Sequence, residues 1–142
     1  MGIRRDQLAD HDVTYAFGSV IGGHGIGRIA GRAVEGVHRA GLLDQVIAWE
    51  REGLNVPTER VRSPPLGKYL DTVLRYYYND ATFDWYTNRV LDSPALFHGW
   101  NNMCLRAMQT AADRGAITVV ERASTHPAVQ RRLVEAEYEQ FG

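Results

Sequence analysis

The sequence predicts a doubly wound α/β domain built on a parallel sheet. Short apolar runs at 13–17 (VTYAF), 46–49 (VIAW), 95–98 (ALFH) and 116–120 (AITVV) alternate with stretches of helical period. A glycine-rich segment joins the first run to the first helix, as in nucleotide-binding βα units. The run 116–120 reads as a strand buried on both faces of a parallel sheet. Such alternation requires right-handed crossovers, with helices on both faces.

The first helix follows a loop over 18–27, with apolar residues at Ile26, Ile29, Ala30, Ala33, Val34 and Val37, one helical face. Gly41 ends it. Residues 50–67 are polar with three prolines and read as loop plus a short strand near 60–62. Two helices are expected over 68–78 and 82–91, separated by Asn79-Asp80. A stripe from Trp100 through Met103, Cys104, Ala107, Met108 and Ala111 predicts another helix, capped by Asn101 or Asn102 and ended by Gly115. Ser124 or Thr125 caps a last helix, with Pro127 in its first turn, running to about Phe141. No internal repeat or long linker divides the 142 residues, so they read as a single domain.

Composition narrows the function classes. Apolar residues make up 44% of the chain, a globular value. The net charge of −1 argues against a dedicated nucleic-acid binder, which needs a basic surplus. The single cysteine, Cys104, permits no internal disulfide and reads as a small buried hydrophobe in a reducing, cytoplasmic setting. No apolar leader or membrane-length apolar stretch is present, and no spacing of histidines or carboxylates suggests a metal site.

Ligands of such sheets bind beyond the carboxyl ends of the strands, where three loops carry unusual residues. In the first, Gly23, His24, Gly25 and Gly27 precede a helix N-terminus, where backbone amides and the dipole favour phosphate. Gly25-Ile-Gly27-Arg-Ile-Ala30 matches G-x-G-x-x-A, with Glu50 as the candidate ribose-binding acid of a dinucleotide fold. That motif starts about eight residues after the expected end of the strand, too late for the tight turn such sites require. A P-loop motif is absent. In the second loop, His98 and Trp100 offer a stacking platform for a sugar or an apolar acceptor, although a buried Trp and a hydrogen-bonded His are the plainer explanation. In the third, Arg122, Ser124 and His126 stand between a strand and a helix N-terminus. Arg122 suits an anion and His126 a substrate hydroxyl; capping and a Glu121–Arg122 surface pair explain these residues equally well. The aromatic cluster Tyr69, Tyr76, Tyr77, Tyr78, Phe83, Trp85 and Tyr86 divides between core and surface. Its exposed part would suit an acceptor, a partner domain, self-association or peripheral membrane contact.

Residues 82–142 resemble family 4 glycosyltransferases of the GT-B fold. The likeness rests on FHGW, RGAITVVERASTH and EAEYEQFG, and more loosely on the FGSVIGGHGIG loop. Many relatives have E-R-G-S-x-H followed by a helix ending E-E-Y; here Ala123 and Ala136 depart from that pattern. The resemblance implies an acceptor-side, Rossmann-like half of a retaining, nucleotide-sugar-dependent transferase that needs neither metal nor cofactor. It implies a donor-binding second domain as partner, absent from these 142 residues, without which the chain would be inactive. It places Gly23, Gly25 and Gly27 against the donor diphosphate, with His24 as a further contact. His126 falls beside the transferred sugar, and His98 and Trp100 on the side of an unidentified acceptor. A non-catalytic binding module and a nicotinamide-dependent oxidoreductase are the alternatives.

Overall fold

The structure, a computed structural model, describes residues 12–74, 79–123 and 127–141. The chain runs β1 (Val13–Gly22), α1 (Gly25–Arg39), β2 (Leu43–Glu52), a 3₁₀ turn (Thr58–Arg60), β3 (Val61–Arg62), α2 (Gly67–Leu74), α3 (Asn79–Val90), β4 (Leu96–Trp100), α4 (Leu105–Asp113), β5 (Ile117–Glu121) and α5 (Pro127–Phe141). The five strands are parallel, in the order β3-β2-β1-β4-β5. This is the doubly wound, Rossmann-like sheet the sequence predicts. Strand order reverses between β1 and β4, which opens a crevice at their carboxyl ends.

Alternating side chains of β1 feed two core layers. Tyr15, Phe17 and Ile21 pack with Ala30 and Val34 of α1 on one face. Ala16 joins Ile47, Trp49 and Phe97 on the other, against Phe83 of α3 and Ala107 and Ala111 of α4. Each large apolar side chain buried here contributes about 1.5–3 kcal/mol. Cys104 is buried in the second layer, and burial pushes its thiol up to about 12, consistent with packing rather than reactivity.

β1 continues past Phe17 to Gly22. Its pairing with β2 shifts register between Phe17 and Val20, so Gly18 marks an irregularity inside the strand rather than the start of a loop. Val20 and Ile21 then resume the ladder opposite Glu50 and Arg51. Trp100, expected on a helix, ends β4, and α4 begins at Leu105. Neither Asn101 nor Asn102 caps α4. Asn102 takes a left-handed turn conformation (φ 69°), and the cap comes from another helix. Buried Asp84 of α3 accepts hydrogen bonds from the backbone amides of Arg106 (2.8 Å) and Ala107 (2.9 Å). α3 starts at Asn79, so the expected break at Asn79-Asp80 is its first turn.

The aromatic cluster divides as its composition suggested: Phe83 is fully buried, whereas Tyr69 and Trp85 are exposed. Tyr76, Tyr77 and Tyr78 lie outside the described residues. The expectation for 116–120 fails: β5 is an edge strand, and Ile117 is 43% and Val120 56% exposed because α5, which follows it, is exposed along 128–141 rather than packed over its face. No described helix is long and apolar enough to cross a membrane.

Asp84 holds two amides that α4 cannot satisfy itself, so Asp84→Ala should lower the unfolding free energy by about 1–3 kcal/mol. Urea denaturation reads this directly; an unchanged midpoint would refute the capping role.

Candidate functional site

The crevice between β1 and β4 has a volume of about 750 Å³. Each of the three predicted loops contributes to it. The first supplies His24, Gly25 and Gly27, the second Trp100 and the third Arg122. Phe17, Val20, Ile26 and Met103 add apolar wall, and Ser19, Asn101 and Glu52 add polar groups.

α1 reaches the rim because glycine permits a close helix–strand approach. A Cβ on Gly27 would sit 2.3 Å from the Val20 carbonyl oxygen, inside hard contact. Gly25, at φ +59°, takes a backbone conformation that costs an L-residue about 1–2 kcal/mol, yet a Cβ there would meet nothing within 4 Å. Its requirement is conformational, and the space beside it is open to a ligand. The amides of Gly25, Ile26 and Gly27 have no intrahelical acceptor, and the first turn of α1 carries no acid. His24 is the N-cap residue, but its side chain makes no capping bond. Those amides, the positive end of the dipole and exposed Arg122 lie together at the rim.

The floor is apolar and rigid. Trp100 is 5% exposed and meets Phe17 edge-on, with ring centroids 5.2 Å apart. Its indole Nε1–H donates to Tyr15 Oη (2.7 Å), and the Tyr15 hydroxyl donates to Glu121 Oε2 (2.7 Å). His98 Nε2 lies 3.0 Å from the same oxygen, off the direction of a well-formed hydrogen bond. The His98 ring also leans on Tyr15, at 4.5 Å between centroids. This group ties β1, β4 and β5 together under the rim. Burial pushes the Tyr15 phenol up, and the hydrogen bond to Glu121 adds to the rise, so Tyr15 stays a neutral donor. Burial lowers His98 below its ordinary value, against the opposing pull of the Glu121 carboxylate.

Not every expected site residue meets the crevice. His98 lies in the strand network and does not line it. Gly23 lines a separate, smaller hollow with Arg28 and Arg32. Ser124 and His126 lie outside the described residues. Glu121 accepts from Tyr15 and lies beside His98.

The acid at the end of β2 is Glu52, not Glu50. β2 runs three residues past Trp49, so Glu52 reaches the crevice, while the Glu50 carboxylate accepts from the Arg51 amide. The Gly23 amide donates to the Glu52 carbonyl (2.8 Å), pinning that acid beside the glycine loop. Sequence reading missed Glu52, Asn101 and Tyr15. The first needed the true length of β2, and the others needed the three-dimensional pairing of β1 with β4. Among the described residues, no group of three or more His, Cys, Asp or Glu side chains is placed to hold a metal ion.

His98 binds its proton less tightly folded than unfolded, so its contribution to stability is complete above the unfolded pKa of about 6.5 and is lost as pH falls below it. Thermal denaturation between about pH 7 and about pH 5 should therefore show a smaller loss of Tm in His98→Gln than in the native chain. Equal losses would show that His98 does not carry this linkage. No family model matches the sequence, and neither a curated protein nor a solved structure does, so the functional argument rests on the fold and on this crevice.

Proposed function

We propose that the crevice holds the diphosphate of a nucleotide sugar, and that the chain is the acceptor-side half of a retaining glycosyltransferase. The observation that carries this reading is the convergence of the β1–α1, β4–α4 and β5–α5 loops on one rim at the β1/β4 switch. The amides of Gly25, Ile26 and Gly27, with Arg122, suit the phosphates. Trp100 and Phe17 offer an apolar floor, and Asn101 a polar contact for sugar or acceptor hydroxyls. The FHGW and RGAITVVERASTH segments support the family assignment, and in it His126 acts beside the transferred sugar. A donor-binding domain supplies the other wall of the cleft, so transfer by this chain alone is negligible. His24 remains a candidate phosphate contact at the rim, and Gly23 lines the separate hollow.

One observation favours a second reading, a nicotinamide dinucleotide site. β1 ends at Gly22, so Gly25-x-Gly27-x-x-Ala30 opens the helix directly after the strand, and Glu52 stands where a ribose-binding acid belongs. With β1 ending at Gly22 rather than at Phe17, the motif begins three residues after the strand.

Isothermal titration separates the two. Binding of UDP- or GDP-sugars, with no heat from NAD(H), is the expected result; the reverse pattern would replace the first reading by the second. Gly25→Ala imposes backbone strain of about 1–2 kcal/mol at the rim and should weaken binding of the nucleotide sugar by about tenfold. Unchanged affinity would remove the glycine loop from the site.

A further inference from the structure

Every residue from 128 to 141 on α5 is exposed. A helix of about 15 residues is marginal in water unless a face of it is packed. α5 has such a face: Val134, Tyr138 and Phe141 follow one another at helical spacing and are 45%, 73% and 80% exposed. Two hollows lie along this stripe, and both include Val134 and Tyr138.

The charges on α5 suit one kind of cover. Arg131 and Arg132 precede Val134, whereas Glu135, Glu137 and Glu139 follow it. This order opposes the helix dipole, which favours anions at the N-terminus and cations at the C-terminus. An antiparallel helix of the same sequence resolves the conflict, because each basic half then meets an acidic half. Oppositely directed helices also align their dipoles favourably.

We propose that α5 is a self-association surface, pairing antiparallel with α5 of a second copy across a two-fold axis at Val134. Such an interface is isologous, so each contact occurs twice. The two-fold keeps each residue on its own flank of the seam, which sets Arg131 beside Glu135 of the second copy and Gln130 beside its Glu137. The Val134 side chains meet on the axis. The surface is independent of the crevice and of any reading of it. A single helix pair lies at the small end of specific interfaces, so association falls in the micromolar range.

Sedimentation equilibrium of the whole chain, over graded protein and salt concentrations, tests this. The native chain should form a dimer that weakens as salt rises. Val134→Glu places two carboxylates together on the axis and should give a monomer. The pair Arg131→Glu with Arg132→Glu should do the same, as should Glu135→Arg with Glu137→Arg. Mixing those two charge variants should restore a dimer at least about tenfold tighter than either alone. Circular dichroism checks that each variant stays folded. A native chain that is monomeric at every concentration overturns the proposal and points to a different polypeptide as the cover of α5. A dimer indifferent to Val134→Glu, or charge variants that fail to pair when mixed, also overturns it.

Discussion

The arrangement depends on how closely α1 can approach β1. Gly27 meets the Val20 carbonyl at a distance that excludes any side chain, and Gly31 packs on Gly22 nearby. This contact fixes the direction of α1, so that its N-terminal amides open onto the space beyond β1. A larger residue at Gly27 would push the helix outward, and the amides would leave the rim. Hence the glycines divide into two kinds. Gly27 and Gly31 serve packing, while Gly25 serves the turn and leaves space for a ligand.

The second constraint lies below the rim. Trp100, Tyr15, Glu121 and His98 come from three adjacent strands; the indole donates to Tyr15, Tyr15 donates to Glu121, and the His98 ring packs beside both without a well-formed hydrogen bond from Nε2. The network holds the indole against the crevice floor and anchors the end of β5, from which Arg122 projects. The site thus combines helix N-terminal amides and an exposed arginine at the rim with an apolar base.

Much of this was legible in the sequence. Strand and helix periods gave the order of elements, and the glycine segment, Trp100 and Arg122 marked loops that share one crevice. What escaped were features fixed by tertiary contact. A glycine inside β1 read as a loop because the local signal for an irregular strand and for a turn is the same. Glu52 was hidden by charged residues that end the apolar run of β2 three positions before the strand itself ends. The cap of α4 comes from Asp84, twenty-two residues before Arg106, so no local pattern could reveal it. The apolar composition of β5 suggested burial that α5, exposed along 128–141, does not provide.

The central claim is that three separate loops form one anion-binding crevice. Backbone and indole NMR spectra, recorded while a nucleoside diphosphate is added to the native chain, test it most directly. The account predicts concerted, saturable shifts at Gly25, Ile26, Gly27 and Arg122 and at the Trp100 indole, all with a single Kd. Shifts confined to one loop, or centred on another part of the molecule, would contradict it.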